Sequence, residues 1–521
     1  MRKLITGRNL VTGAAVALPA LFLPAALPAA GAAPERPDLA KLVTLKDVRA
    51  HLAAFQEIAD YNGGHRAAGT QGYDVSVKYV VGRLRKAGLT PKVQKFTFPY
   101  WRERSEAVFA RTAPSRKSYK LDEDFRTFAY SGSGDVTAPV TAVDVPSKGE
   151  GTSGCEKGDF KGFEKGSIAL LQRGACTFET KAARAAAAGA SAVVIYNKPG
   201  EKGPVSGTVT KPSRLPIVGP TYELGVDLVK AAKKKDGLRL RVKTDTVHGT
   251  TSSANVVADT ERGDPGNVVV AGAHLDSVPA GPGINDNGTG AAVLLAIAGK
   301  IRELGKTGLR NRVRFAWWGA EEEGLRGSTH YVKSLPAAER EKIALNVNLD
   351  MLGSPNGIRA VYDGDNSTGG GTPAPAGSGA IEKMFRDYFK GRRLPVAESE
   401  FNGRSDYGPF IEKGIPSGGV ATGAEGVKTA AEAKLFGGRA GKAYDPCYHA
   451  KCDRVQNVNL KLLDSNADGV AHVLQHLAET TVAVNGGARA ALPGGRHALR
   501  LDALPLGPSY DPAWRGPYQV S

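Results

Sequence analysis

The sequence predicts an α/β protein with a mostly parallel central sheet flanked by helices, into which a small β-rich domain is inserted. Three observations predict this class. Short β-branched strands alternate with helical segments from Asn255 onward, which is typical of a parallel sheet covered on both faces. Apolar residues make up 41% of the chain and it contains 65 glycines, as expected of a globular protein with many turns. With 521 residues, the chain is too long for one ordinary core.

Residues 1–32 have the features of an export signal. Basic residues precede an apolar run from Leu10 to Leu27, and Ala30-Gly31-Ala32 has the A-x-A form of a cleavage site. Prolines at positions 19, 24 and 28 argue against the alternative, a membrane-spanning helix. We therefore expect a secreted, extracellular protein with no membrane partner.

The net charge of +17 raises the possibility of nucleic-acid binding. The basic residues are, however, scattered among acidic ones. The longest basic run, Lys233 to Lys235, is short and has no aromatic residues beside it for base stacking. A soluble basic enzyme without a nucleic-acid partner is the expectation.

The four cysteines predict two disulfides, Cys155 with Cys176 and Cys447 with Cys452. Four cysteines allow three connectivities, and closing short local loops costs the least chain entropy. The alternative is a zinc site, but the spacing lacks the paired C-x-x-C form of structural zinc sites. Disulfides indicate an oxidising compartment, in agreement with export.

Residues 33–135 are predicted to form the first part of the main domain. Apolar residues recur at helical spacing from Leu45 to Tyr61 and again from Tyr73 to Ala87. Gly88 then indicates a helix end, and the alternating segment PKVQKFTF (91–98) predicts a strand.

Residues 136–246 are predicted to be the β-rich insert. Two short strands, GSIALLQ (166–172) and SAVVIY (191–196), flank an alanine-rich helix from Phe178 to Ala188. This stretch resembles a protease-associated domain, a small insert found in several peptidase families. It contains no catalytic constellation, so we expect it to bind a partner or to control access.

Residues 247–485 are predicted to complete the main domain and to carry its site. Residues 267–278, 312–324 and 344–353 each indicate a buried strand followed by a loop, and residues 289–301 indicate a helix. The tail, residues 486–521, is rich in Gly, Pro, Ala and Arg and is expected to be poorly ordered.

Histidine and carboxylate side chains follow these strands where each strand ends. They are His274 and Asp276 after the first strand, Glu321 and Glu322 after the second, and Asp350 after the third, with Asp286 in the glycine-rich loop GPGINDNGTG (281–290). Ligands of open α/β sheets bind outside the carboxyl ends of the strands. Each residue alone is weak evidence, but carboxylates at the ends of buried strands are costly without a cation. The sequence therefore predicts a site for zinc, which accepts these ligand types.

The surrounding motifs resemble those of the secreted double-zinc aminopeptidases, of the aminopeptidase Y and bacterial leucyl aminopeptidase type. They are HLDS, GINDNGTG, WWGAEEEG, NLDM, GRSDYGPF and CYHAKC, in this order. The likeness covers roughly residues 40–135 and 250–485. It implies the αβα sandwich of zinc peptidases and a co-catalytic pair, two Zn²⁺ per chain. The five ligands it implies are His274, Asp286, Glu322, Asp350 and His449.

The resemblance also implies a role for each site residue. Asp286 would bridge both ions, His274 and Asp350 would complete one, and Glu322 and His449 would complete the other. The remaining roles are Glu321 as general base, Tyr448 as hydrogen-bond donor to the oxyanion, Asp276 as the partner that orients His274, and Arg404 near the substrate end. An arginine at position 404 could equally pair with Asp406. The family usually has a hydrophobic residue where this sequence has Glu323, which leaves fine specificity open.

The predicted function is a secreted metallo-aminopeptidase that releases large apolar N-terminal residues such as Leu from peptides or proteins. A related zinc hydrolase, such as a carboxypeptidase or an aminoacylase-like enzyme, is the first alternative. It would need a basic cluster for the substrate carboxylate, for which Arg404 alone is thin support. A non-catalytic receptor-like protein would have lost ligands, whereas all five and the base are present. We expect a monomer.

Overall fold

The structure is a computed structural model that describes residues 13, 37–146, 152–209, 211–234 and 237–486. Apart from Gly13 and Gly486, the predicted export signal (1–32) and tail (486–521) lie outside the described residues, as does Lys235 of the basic run. The described residues from Pro37 onward belong to one compact unit. None of the helices described combines the length and the apolar composition needed to cross a membrane.

The strands of the described residues join into one sheet of 14 strands. They are β1 (Lys92–Ala113), β2 (Lys117–Ser118), β3 (Phe125–Thr127), β4 (Gly134–Ala142), β5 (Ile168–Gln172), β6 (Ala192–Tyr196), β7 (Ile217–Pro220), β8 (Arg239–Asp259), β9 (Asp264–His274), β10 (Asn311–Trp318), β11 (Ile343–Leu349), β12 (Ala360–Tyr362), β13 (Ala397–Ser399) and β14 (Ser417–Ala421).

The α-helices cover the sheet. They are α1 (Leu39–Leu42), α2 (Leu45–Asp60), α3 (Gln71–Lys86), α4 (Phe178–Ala187), α5 (Tyr222–Ala232), α6 (Thr289–Lys300), α7 (Gly305–Gly308), α8 (Arg326–Ser334), α9 (Ala337–Glu341), α10 (Ser378–Gly391), α11 (Gly408–Glu412), α12 (Ala430–Phe436), α13 (Leu460–Glu479) and α14 (Val482–Asn485). Short non-α turns lie at Lys157–Phe160, Ile284–Gly288, Ile301–Leu304 and Val455–Asn457.

The centre of the main sheet is parallel, as predicted. Strands β14, β11, β9 and β10 are parallel neighbours in this order. β8 runs antiparallel beside β10, and β12 runs antiparallel beside β14. The Val268–Val270 run of β9 is buried on both faces, because Val269 packs with the helices of one core while Val268 and Val270 pack into a second core on the opposite face. A continuous apolar strand is therefore what this position requires.

A long antiparallel ribbon joins the main sheet to the insert. β1 pairs with β8 from Lys92 opposite Val257 to Ala113 opposite Arg239. One end of β8, residues 256–259, pairs with β10, and its other end pairs with β4. Strands β4 to β7 of the insert are parallel neighbours, and β3 closes their edge. The insert has its own two cores, one on each face of β5 and β6.

The predicted local elements agree with the structure. The helix expected from Leu45 to Tyr61 is α2, which Thr44 and Asp47 begin with a reciprocal capping box. The helix expected from Phe178 is α4. The strand expected at residues 91–98 is only the start of β1, which has 22 residues. Both expected disulfides, Cys155–Cys176 and Cys447–Cys452, are formed.

Candidate metal centre and active site

The carboxyl ends of three parallel strands bring the predicted site residues to one edge of the sheet. β9 ends at His274, β10 ends shortly before Glu321, and β11 ends one residue before Asp350. The chain turns sharply at three residues of the site. Ala320 and Met351, which follow two of these strands, have φ angles of 55° and 53°, and His449, in a later turn, has a φ angle of 55°. A non-glycine residue in this region costs about 1–2 kcal/mol, and such residues concentrate at functional sites.

Asp286 lies at the centre of the site, between two imidazole rings. Its Oδ1 is 3.2 Å from His274 Nε2, and its Oδ2 is 3.1 Å from His449 Nε2. Asp350 Oδ1 lies 3.4 Å from His274 Nε2 on one side, and Glu322 Oε2 lies 3.0 Å from His449 Nε2 on the other. The structure thus brings together all five predicted ligands, as two groups of three that share Asp286.

The spacing of these atoms fits a divalent metal such as zinc. Zinc bonds of about 2.0–2.2 Å at a tetrahedral angle place two ligand atoms about 3.3–3.6 Å apart, close to the distances observed here. His274 Nδ1 lies 3.2 Å from the backbone carbonyl of Asp276, so it donates its proton there and leaves the Nε2 lone pair facing the carboxylates. Glu322 Oε1 and Asp350 Oδ1 are buried without a hydrogen-bond partner.

The electrostatics of the cluster also favour a cation. Burial alone would lower the pKa of His449, but the carboxylates of Glu322 and Asp286 raise it to about 10. The negative charges of Glu322 and Asp286 that favour a proton on this imidazole would also favour a metal ion in its place. The donor set, with imidazole and carboxylate but no thiolate, suits zinc.

Asp276 contacts His274, the residue that it is predicted to orient, through its backbone carbonyl. Its carboxylate lies farther away, 3.8 Å from Nδ1. The two carboxylate oxygens instead accept the backbone N–H groups of Glu321 at 3.1 Å and Glu322 at 3.3 Å. Asp276 therefore holds the loop that carries both glutamates.

The three consecutive glutamates face different surroundings. A carboxylate oxygen of Glu321, which is 4% exposed, lies within 4.8 Å of ligand atoms of His274 and Glu322. Glu323 instead approaches Arg102 on β1, with 3.8 Å between Oε1 and Nη2. Burial raises the pKa of Glu323 to about 7. This third glutamate thus connects the active-site loop to the long ribbon.

Tyr448 and Arg404 lie side by side at the cleft. Arg404 Nη2 donates to the Tyr448 hydroxyl at 3.3 Å, and Arg404 Nη1 pairs with Glu425 at 2.6 Å. Burial and the charge of Asp286 hold the pKa of Tyr448 well above 10, so its hydroxyl keeps its proton at neutral pH. The Cys447–Cys452 disulfide closes the short loop that carries Tyr448 and His449, with 5.2 Å between the two Cα atoms.

A cleft of about 270 Å³ opens beside the metal centre, and four of the five proposed ligands line it: His274, Asp286, Glu322 and Asp350. Its walls combine aromatic and apolar side chains with a few polar ones, including Met351, Tyr362, Tyr407, Ala421, Tyr444 and Glu400. A pocket of this kind can hold one amino-acid side chain next to the metal centre.

Sequence reasoning missed the residues that fix the Asp286 loop to its neighbours. Asn287 donates to the carbonyl of Leu349 and accepts the N–H of Met351, and Asn285 accepts the N–H of Gly353. These bonds connect the loop to the turn after Asp350. The motif GINDNGTG contains both asparagines, and asparagine in a glycine-rich loop is typical of turns, so residue type alone does not indicate these contacts.

Comparisons with known proteins identify the family of this chain. The chain matches Peptidase family M28 over residues 255–474 and the PA domain over residues 136–228. An aminopeptidase of Pseudomonas aeruginosa (strain UCBPP-PA14) is 45% identical over 455 residues, which cover 86% of this chain and 83% of that protein. A probable leucine aminopeptidase 2 of Aspergillus fumigatus is 38% identical over 431 residues, which cover 81% of this chain and 82% of that protein.

Solved structures of similar fold have related activities. An aminopeptidase from Aneurinibacillus sp. strain AM-1 superposes with a TM-score of 0.63 at 25% identity, covering 84% of this chain and 94% of its own. A zinc aminopeptidase from Bacillus subtilis has a TM-score of 0.57 at 25% identity, covering 87% and 98%. The chain therefore belongs to the aminopeptidases of peptidase family M28, as a metallopeptidase that carries a PA domain.

Proposed function

We propose that this protein releases N-terminal residues from peptides with two zinc ions, and that it prefers large apolar residues such as Leu. The observation that carries the proposal is the position of Asp286, whose two oxygens face two different histidines at 3.2 and 3.1 Å. A carboxylate in this position can bind two ions at once.

The distances support two ligand sets. His274 and Asp350 would hold one ion together with Asp286, and Glu322 and His449 would hold the other. Each set joins imidazole to carboxylate and would offer three protein ligands, the number typical of catalytic zinc sites. When bound, zinc supplies Lewis acidity that lowers the pKa of a water molecule and polarises the scissile carbonyl.

The protein side chains supply the remaining chemistry. Glu321 takes a proton from the attacking water and passes it to the leaving nitrogen, a task for a carboxylate that is not itself a ligand. The Tyr448 hydroxyl donates a hydrogen bond to the oxyanion, since its raised pKa keeps it protonated. Asp276 positions Glu321 and Glu322 through their backbone N–H groups.

The cleft supports an aminopeptidase over a carboxypeptidase or aminoacylase-like enzyme. A substrate carboxylate would require a cation to receive it. Among the described residues that line the cleft, Arg404 is the only Lys or Arg, and Glu425 already pairs with it. The acidic groups around the metal centre suit a free amine instead. Met351, Tyr362 and Tyr407 offer the apolar contact for the preferred side chain, and Arg404 lies near the substrate end.

The test is the substitution Glu321→Ala in the full chain. We expect kcat for a Leu arylamide to fall by about 10²–10⁴-fold, because the proton acceptor is lost. Zinc per chain, measured by mass spectrometry, should stay at two. Glu323→Gln is the matched control, since this side chain faces Arg102, and it should keep most of the activity.

Two results would contradict the proposal. Zinc content that falls in step with activity would make Glu321 a ligand and not the base. Activity that survives complete removal of metal by a chelator would refute the mechanism. Arg and Glu arylamides, compared with the Leu substrate, test the proposed preference.

We further propose that the protein is exported and acts as a monomer outside the cell. The two disulfides support export, since such bonds persist in oxidising compartments. Sedimentation of the mature protein and its recovery from culture medium test these two points.

A further inference from the structure

We propose that two buried polar residues, Arg66 and Asp453, position Asp286 through the backbone of its loop and thereby set the affinity for zinc. Neither residue approaches the metal site as a ligand. This inference rests on the proposed function, because it takes Asp286 as the carboxylate shared by both ions.

Asp453 accepts hydrogen bonds from backbone N–H groups of the Asp286 loop. Its side chain is 1% exposed, and Oδ1 and Oδ2 accept the backbone N–H groups of Asn285 at 2.8 Å and of Asp286 at 3.0 Å. The backbone carbonyl of Asp453 also accepts the N–H of Ile284 at 3.1 Å. Three successive N–H groups that lead into Asp286 thus end on one residue.

Arg66 donates hydrogen bonds to backbone carbonyls of the same loop. Its side chain is fully buried, at 0% exposure. The guanidinium donates to the carbonyls of Pro282 at 3.0 Å and Gly283 at 2.6 Å, and also to the carbonyl of Leu275 directly after His274. One planar group therefore fixes the Asp286 loop relative to the strand end that carries another proposed ligand.

The chain positions of the two residues explain why this matters for the metal site. Arg66 comes from the segment between α2 and α3, and Asp453 follows His449 by four residues, directly after the Cys447–Cys452 disulfide. Asp453 thus connects Asp286 to the segment of His449, and Arg66 connects Asp286 to the segment of His274. Through these contacts, the chain segments that carry both histidines are connected to the backbone of the Asp286 loop.

Several hydrogen bonds from two side chains hold an irregular loop. Those from Arg66 come from a charged guanidinium, and hydrogen bonds in which one partner is ionised are roughly twice as strong as neutral ones. The Asp286 loop has non-helical backbone angles at Asp286 and Asn287, so regular secondary structure does not hold it in place. A carboxylate that must present one oxygen to each of two ions tolerates little displacement of its Cα atom.

The test is the substitution Asp453→Asn, which keeps the shape of the side chain but replaces one acceptor oxygen with an N–H₂ group. Zinc dissociation constants of the folded full-length protein are measured at 25 °C by competition with a chromogenic chelator. We expect them to rise by about 10–100-fold, as is typical when a group supporting a metal ligand is lost. Saturating zinc should restore most of kcat.

Asp60→Asn is the matched control. Asp60 pairs at the surface, at 2.7 Å, with Arg454, the residue that follows Asp453, and it has no bond to the Asp286 loop. It should leave the zinc dissociation constants unchanged. If Asp453→Asn does not fold, Arg66→Lys carries the test with the same expectation, since it keeps the cation but loses the planar fork.

If Arg66 and Asp453 only stabilise the fold, Asp453→Asn will lower the unfolding temperature but leave the zinc dissociation constants of the folded variant within twofold of wild type. That result would overturn the inference. Failure of the proposed function looks different. Wild-type protein would then bind fewer than two zinc ions, or Asp286→Ala would still bind two. Loss of zinc in Asp286→Ala together with unchanged binding in Asp453→Asn would reject this inference alone.

Discussion

The pH dependence of stability can be predicted from one buried histidine far from the cleft. His51 of α2 lies against Tyr79, with 2.7 Å between Nδ1 and the phenol oxygen. Burial, helped by the charge of Arg83, lowers the pKa of His51 from 6.5 to about 4. As the pH falls below 6.5, His51 becomes protonated in the unfolded chain but stays neutral in the folded chain. The folded state therefore loses stability until the pH reaches about 4. Between pH 7.5 and 4.5 the loss is about 2.5 kcal/mol.

Urea unfolding of the metal-free protein at these two pH values measures this loss, because zinc release then makes no contribution. In His51→Gln, which can still bond the Tyr79 hydroxyl, the loss between the two pH values should be smaller than in wild type by about 2.5 kcal/mol. His248→Gln replaces an exposed histidine and should behave as wild type. Equal losses in wild type and His51→Gln would refute the reasoning.

Two further predictions concern the turn that carries Tyr448. Tyr448→Phe should lower kcat by about 10²–10³-fold with little change in KM, because an oxyanion donor is lost, and an unchanged kcat in steady-state assays would exclude that role. Replacing both cysteines by serine should cost about 3 kcal/mol of unfolding free energy for the Cys155–Cys176 loop and about 2 kcal/mol for the shorter Cys447–Cys452 loop, whose sequence separations are 21 and 5. Only the Cys447–Cys452 variant should also weaken zinc binding, so equal zinc affinities in the two variants would contradict the proposed effect of the turn on His449.

The sequence alone could predict the elements and the sheet edge at which the polar residues meet. The Val268–Val270 run and the segment ending in Trp317 and Trp318 indicate buried strands, whatever their partners are. The carboxyl ends of neighbouring parallel strands lie on one edge, so His274 and Asp350 had to come close. Helical spacing likewise predicted α2 and α3, because amphipathic periodicity is a local property.

Features that depend on contacts between distant segments could not be predicted in this way. The 22 residues of β1 follow from pairing with β8, more than 100 positions away in the chain, and only the first few alternate clearly. His449 reaches Asp286 through a turn with positive φ that no periodicity indicates. Asp276 orients His274 with its backbone carbonyl and uses its carboxylate elsewhere, a choice of atoms that residue type cannot reveal.

The α/β class, the local elements and the residues available as ligands can thus be read from the sequence, since these depend on periodicity and side-chain chemistry. The way the ligand loops are held depends on tertiary contacts. Arg66 and Asp453 bind the backbone of the Asp286 loop from two remote parts of the chain. Backbone N–H and C=O groups are the same in every residue, so a contact made to them leaves no mark in the sequence of its partner.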